Sequence, residues 1–393
     1  MTGTKRILIC DLVGLAFNAL GQPDPSEVKA HIEARGGLFH PGLWRAQAPL
    51  AADRLHFFYA PDLARAEDFI SVAGQGQYDA VIAAATTVPE ACHFAEGGVR
   101  MGTGTGNMQS ASWGGPNGLG GTAPLMNTPG FNARATAHMV MKALFHFLPS
   151  LPLGLLHERV LAGRFDTARH LRDFPTHGLA GRRMAIAGFG NIGRTVARLA
   201  RAFGMEPVIY SRPHHRAKIE AEGFRFARSI EAAAEGADVV SLHVGLGQRA
   251  ADGRFENAGM LDGGTFAVMN PGATVINFDR GECVNEAALE AALASGQVAQ
   301  VAIDADIFVD EKTGGVSGPL APYVALARRF PGRVLLLPHA AADTDHPSRV
   351  AAAKQAVDQI IAAMTTRTVH NLKGDLPAGY VSGGAVLPPE LQA

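Results

Sequence analysis

Residues Gly188-Phe-Gly190-Asn-Ile-Gly193 constrain this chain more than any other stretch. MAIA, a strand pattern, stands before them, and TVARLARAFG, a helix pattern, follows. A glycine turn in that strand–turn–helix context is the signature of a dinucleotide site. The first glycine permits a tight turn, the second lets backbone approach a pyrophosphate, and the third lets helix and strand pack closely. The helix N-terminus adds unpaired N–H groups and a partial positive charge. Gly188, Gly190, Asn191, Ile192 and Gly193 are therefore the expected cofactor contacts.

The rest of the chain agrees with an α/β reading. RILIC, HFFYA and DAVIAAA near the start read as strands, with PSEVKAHIEARG as an intervening helix. A glycine-rich stretch, Met101 to Gly121, breaks the pattern and reads as a loop. NTPGFNARATAHMVMKALFHFL and LPLGLLHERVLAG then read as helices. A second set of strands comprises MAIAG, PVIY, DVVSLH, ATVINF, QVAIDA and RVLLLPH, alternating with helices such as NEAALEAALASG. HPSRVAAAKQAVDQIIAAMTTR is a last helix. At 393 residues this makes two α/β domains.

Charge narrows the function classes. With 35 Lys+Arg against 36 Asp+Glu the net charge is −1, so neither nucleic acid nor an acidic membrane is the expected main partner. The start runs straight into a strand pattern with no long apolar stretch, so we expect no membrane span and a cytoplasmic location. Three widely spaced cysteines, Cys10, Cys92 and Cys283, read as free thiols.

VIYSRPHHR, Val208 to Arg216, marks the end of the second strand of the glycine-turn unit. An acid there would accept a hydrogen bond from the ribose 2′-hydroxyl of NAD and repel a 2′-phosphate. Here Ser211 can donate to a phosphate oxygen and Arg212 can pair with it as a planar fork. The expectation is NADP in preference to NAD. A solvated basic loop is the plainer alternative. His214 and His215 are adjacent and no third ligand stands out, so no metal site is assigned.

Two more residues carry chemistry. Arg280, just after the strand ATVINF and before Gly281, can hold a carboxylate bidentately. His339 follows RVLLLP at the end of a late strand, where functional residues of such sheets gather. Between them lies an acidic group, Asp304, Asp306, Asp310 and Glu311.

In these segments the chain resembles the D-isomer-specific 2-hydroxyacid dehydrogenase family, which includes phosphoglycerate and glyoxylate/hydroxypyruvate-type enzymes. The resembling stretches are LMNTPGFNARATAHMVM, MAIAGFGNIGRTVARLARAFG, ADVVSLHV, NPGATVINFDRGECVNEAALEAALASGQVAQVAID and VLLLPHAAADT. They span about residues 125 to 344; the N-terminal third matches only in outline.

The resemblance implies two Rossmann-like doubly wound domains. A cofactor domain over residues 128–342 would be inserted into a flavodoxin-like substrate domain formed by 1–127 and 343–393. It implies an oxidoreductase that moves a hydride between NADP or NAD and a small 2-keto or 2-hydroxy acid. Arg280 would bind carboxylate and carbonyl, His339 would be the general acid/base, and Asp304 would lie near the nicotinamide carboxamide. The family's partner for the histidine is a glutamate before a proline. No Glu-Pro stands here, so Glu311 is the choice, with Asp310 the alternative. The substrate loop falls on Gly104, Thr105 and Gly106. The glycine-rich run after it is either a flap with Trp113 over the ligand or a surface loop.

The family's dimers imply a homodimer through the cofactor domain, its interface formed by the helices from Asn132 to Gly163, with apolar residues such as Met139, Met141, Leu144 and Phe147 covered by the partner. They pack internally in the plainer alternative. Departures at His138, at HVGLG and at Ala341 and Ala342 point to unusual substrate choice. A formate- or phosphite-type dehydrogenase and a nucleotide-sensing corepressor-like protein are the competing functions.

Overall fold

The computed structural model describes residues 3–45, 49–61, 63, 65–74, 76–148, 153–164, 178–249, 251, 253–310, 313–339 and 344–388. The chain forms two compact units, one of Met1–Asn132 with Asp343–Ala393, the other of Ala133–Ala342.

Strands β1 (Lys5–Ile9), β2 (Leu38–Pro41), β3 (Leu55–Tyr59), β4 (Ala80–Ala83), β5 (Gly97–Arg100) and β6 (Leu125–Asn127) belong to the first unit. The second holds β7 (Arg183–Ala187), β8 (Glu206–Tyr210), β9 (Arg225–Ala227), β10 (Val239–Leu242), β11 (Ala273–Asn277) and β12 (Val298–Ala305). It continues with the hairpin β13 (Phe308–Val309) and β14 (Val316–Ser317), then β15 (Val334–Pro338). The chain returns to the first unit with β16 (Thr368–His370), β17 (Leu372–Lys373) and β18 (Val381–Gly384).

The first sheet runs β17-β6-β5-β4-β1-β3-β2. It is parallel except for β17, and its β3-β1-β4-β5-β6 part has the flavodoxin-like order. Alternation explains why both faces are covered. Ile7 and Ile9 face one side with Phe57, Ile82 and Val357 of the helix His346–Thr365. Leu8 faces the other with Phe58, Val81, Phe69 and Trp113.

The second sheet runs β15-β12-β11-β10-β7-β8-β9. Its pairings are all parallel, and strand order reverses at β7, between β10 and β8. That reversal is a topological switch point, where such sheets bind ligands beyond the strands' carboxyl ends. One face packs Ala185, Val240, Val275 and Ile303. The other packs Met184, Ile186 and Ile276 against the helices Ala133–Phe147 and Asn191–Ala202.

Two expectations change. Met141, Leu144 and Phe147 are buried inside the second unit and Met139 is half-buried against the same cluster. Apolar surface in this region comes from Phe145 and from the helix Leu153–Leu161, none of whose residues is buried, with Leu153 and Leu161 74% and 70% exposed. Trp113 is neither flap nor surface. It is 1% exposed, stacks on Phe94, and donates Nε1–H to the Met108 carbonyl at 2.9 Å. The glycines around it serve close backbone approach: a Cβ on Gly121 would stand 2.2 Å from the Trp113 backbone. No described helix is long and apolar enough to cross a membrane.

Candidate functional site

The glycine turn is built where β7 ends. Gly188 has φ +97, and a Cβ there would lie 2.1 Å from the His243 carbonyl oxygen. A Cβ on Gly193 would lie 2.2 Å from the Gly188 oxygen. The protein's own packing therefore requires both glycines. Gly190 is different. It has φ −77, which any residue adopts, and a Cβ would meet no atom within 4 Å. It is the N-cap of the helix Asn191–Ala202 and has no side chain to cap it. Open space in front of uncapped N–H donors fits a pyrophosphate. Asn191 and Ile192 open this helix and are half-buried.

Gly188 N–H donates to the Tyr210 carbonyl at 2.8 Å, which joins the turn to the end of β8. Ser211 follows directly and is buried, and Arg212 is exposed. Residues Pro213–His215 form a single 3-10 turn that brings the His215 ring back, with Nδ1 2.8 Å from Ser211 Oγ. Beneath the glycine turn, His243 is buried with Nε2 2.8 Å from Ser241 Oγ. Burial pushes its imidazole down to about 3, so it is neutral.

Three groups meet at the carboxyl ends of β11, β12 and β15. Asn277 Nδ2 donates to the Arg280 carbonyl at 2.7 Å and fixes the bend after β11. Gly281 must be glycine, since a Cβ would stand 2.6 Å from the Pro319 oxygen. Arg280 Nη1 lies 3.0 Å from His339 Nε2. His339 Nδ1 lies 2.7 Å from Asp304 Oδ1. Because arginine only donates, Nε2 accepts here and Nδ1 carries the proton toward Asp304. The Asp304 hydrogen bond raises the His339 pKa above its ordinary value, outweighing burial and the Arg280 charge.

Among the described residues, the carboxylate that His339 meets is Asp304, and the reason is register. In the β12–β15 pairing Asp304 stands opposite Leu337 and Ala305 opposite Pro338, so the next residue, His339, emerges beside it. Asp310 lies in the turn of the β13–β14 hairpin, where its carboxylate accepts the Thr313 N–H at 2.8 Å. Glu311, Ala341 and Ala342 lie outside the described residues. Asp279 carries no sequence signal of its own. It is half-buried beside Arg280, and burial pushes its carboxyl up to about 7 against the pull of Arg280 and His339.

In the first unit, Gly104 and Gly106 are exposed and Thr105 is buried, its hydroxyl donating to the Pro116 carbonyl at 2.7 Å. The backbone N–H groups of these three residues donate to no described residue. The Thr105 hydroxyl proton is thus committed internally, and the three backbone N–H groups are the donors left to a ligand.

Residues 152–341 match a family described as D-isomer specific 2-hydroxyacid dehydrogenase, NAD binding domain. A glyoxylate reductase of Thermococcus litoralis is 29% identical over 265 residues, covering 65% of this chain and 69% of that protein. A chloroplastic D-3-phosphoglycerate dehydrogenase of Arabidopsis thaliana is 38% identical over 126 residues. That match covers 32% of this chain and 20% of the plant protein's own length. Among solved structures, a NADPH-dependent glyoxylate/hydroxypyruvate reductase from Sinorhizobium meliloti in complex with NADP and malonate gives a TM-score of 0.58 at 21% identity. It covers 94% of this chain and 96% of that one. A D-lactate dehydrogenase from Salmonella gives 0.59 at 16% identity, with 90% and 95% covered. At these identities the solved structures speak for the fold alone.

Proposed function

We propose that this chain, which belongs to the D-isomer specific 2-hydroxyacid dehydrogenase family, interconverts a small 2-keto acid and its 2-hydroxy acid, with NADP as preferred cofactor. The observation that carries this reading is the Arg280–His339–Asp304 chain, at 3.0 and 2.7 Å, in the same unit as the Gly190 opening.

When bound, the nicotinamide supplies or takes a hydride. The chain's residues do the rest. Arg280 holds the substrate carboxylate and directs an N–H at the carbonyl oxygen, balancing the negative charge that grows there. His339 delivers a proton to that oxygen from Nε2 in reduction and takes it back in oxidation. Asp304 holds Nδ1, which fixes the ring and leaves Nε2 as the working atom. In the first unit, the backbone N–H groups of Gly104, Thr105 and Gly106 are read as donors to a carboxylate, supported by their lack of described acceptors.

NADP preference is supported by Ser211 and Arg212 at the end of β8, with His214, His215, Arg216 and Lys218 close in sequence and no acid among them. The exposed leucines of Leu153–Leu161 support a homodimer through this unit. Three buried free thiols, Cys10, Cys92 and Cys283, support a reducing, cytoplasmic setting.

The test is oxidation of NADPH and NADH with glyoxylate, hydroxypyruvate and phenylpyruvate, for the wild type, Arg280→Ala and Arg212→Ala. The expected result is turnover of at least one keto acid, reduced about 100- to 1000-fold in kcat/KM by Arg280→Ala. Arg212→Ala should raise KM for NADPH and leave that for NADH unchanged. Turnover of formate or phosphite alone, or nucleotide binding without turnover, would overturn the activity. Equal effects of Arg212→Ala on both cofactors would overturn the NADP preference.

A further inference from the structure

We propose that His215 is a positioning residue for the cofactor's 2′-phosphate, acting through Ser211 by holding its hydroxyl as a donor; this rests on the NADP reading above.

Ser211 is 8% exposed and sits one residue past β8, beside the turn that begins at Gly188. Its Oγ has one described side-chain partner, His215 Nδ1 at 2.8 Å. The 3-10 turn creates this contact: Arg212 precedes it, Pro213 starts it, and His215 N–H donates to the Arg212 carbonyl at 2.9 Å.

A serine hydroxyl has one proton to give. If Ser211 donated to His215, only lone pairs would face a phosphate, which itself offers acceptors. If His215 donates Nδ1–H to Oγ, the Ser211 proton is free for a phosphate oxygen. A 2′-phosphate therefore selects the second arrangement, giving the chain His215 Nδ1–H to Ser211 Oγ–H to phosphate oxygen. A ribose 2′-hydroxyl makes no such demand, because it can donate to Ser211 itself. The electrostatics suit an anion. The His214 ring lies 4.1 Å from that of His215, edge-on. Burial lowers the His215 pKa, and the charges of His214, Arg212 and Lys218 add to this. Arg216 pairs with Glu220 and is already engaged. His215 thus serves as a neutral donor, while Arg212 supplies the charge.

The test is direct calorimetric binding of NADPH and NADH to His215→Ala, His215→Asn, Ser211→Ala and the Ser211→Ala/His215→Ala double variant. Arg212→Ala is the control for the NADP reading. His215→Ala should weaken NADPH about tenfold and leave NADH unchanged. His215→Asn, whose amide can donate in place of Nδ1–H, should restore most of the loss. The double variant should bind NADPH no more weakly than Ser211→Ala alone. If His215→Ala weakens NADPH equally in the Ser211→Ala background, His215 acts independently of Ser211 and the proposal fails. It fails also if NADPH and NADH weaken together. A wild type that binds both cofactors alike, with Arg212→Ala silent, overturns the NADP reading and this inference with it. Loss of NADPH in Arg212→Ala but not in His215→Ala overturns the inference alone.

Discussion

His339 shows how much a single neighbour decides. Its pKa is raised because Asp304 accepts its Nδ1–H, against the opposing effects of burial and Arg280. In the proposed reaction, reduction needs the protonated imidazole, so kcat/KM for a keto acid should fall as pH rises through the folded pKa, which lies above about 6.5. The pair's contribution to stability has the same sign. It is complete below about 6.5 and is lost as pH rises through the raised value. Asp304→Asn removes the raising influence, so the falling limb of the reduction profile should move to lower pH. A profile that keeps its midpoint while only its height drops would show that Asp304 does not set the proton affinity. The strand-end positions of Arg280 and His339 were legible in the sequence because each stands just past a strand pattern. Which described carboxylate meets His339 was not legible, because several stand within or after β12's pattern and the β12–β15 register brings Asp304 to it. Asp279 was silent for a related reason: burial, not residue type, pushes its carboxyl up to about 7.

At the scale of the element, the strand–turn–helix unit separates two reasons for a glycine. Gly193 is packed 2.2 Å, measured from its would-be Cβ, from the Gly188 oxygen, and backbone cannot give way cheaply. Gly190 meets nothing. Gly193→Ala should therefore lose about 1–3 kcal/mol of stability by overpacking, with a lower Tm. Gly190→Ala should keep its Tm and lose cofactor affinity, because its methyl would occupy the space in front of the helix N–H groups. Thermal melts and cofactor titrations of the two variants distinguish these cases. An equal fall in Tm for both would mean that Gly190, too, answers to packing. The elements around this unit were legible wherever hydrophobic period was strong, as in β7, β8 and Asn191–Ala202. Short or glycine-bearing strands, such as β5 with its sequence GGVR, were not, since they have too few apolar residues to show a period.

On the scale of the whole molecule, apolar surface is the open account. The second unit buries Met141, Leu144 and Phe147 in its own core and leaves Leu153 and Leu161 outside. Replacing both leucines by glutamate should shift the protein toward monomer in sedimentation velocity without lowering the Tm of the dilute chain. An unchanged sedimentation coefficient would remove this helix from any dimer interface. The sequence could not choose between these two helices. Both are amphipathic, and which face is covered depends on what the sheet offers to each.

Interleaved strand and helix periods, the glycine turn and the strand-end positions of Arg280 and His339 were set by the sequence itself. Each rests on neighbours within a few residues, where backbone geometry and side-chain period act directly. Tertiary structure alone decided that Asp304 holds His339, that Trp113 is core, and that Leu153–Leu161 stays exposed. The reason is physical. Strand register and burial depend on segments far apart in the chain, and they determine which polar atoms meet and which apolar faces lose contact with water.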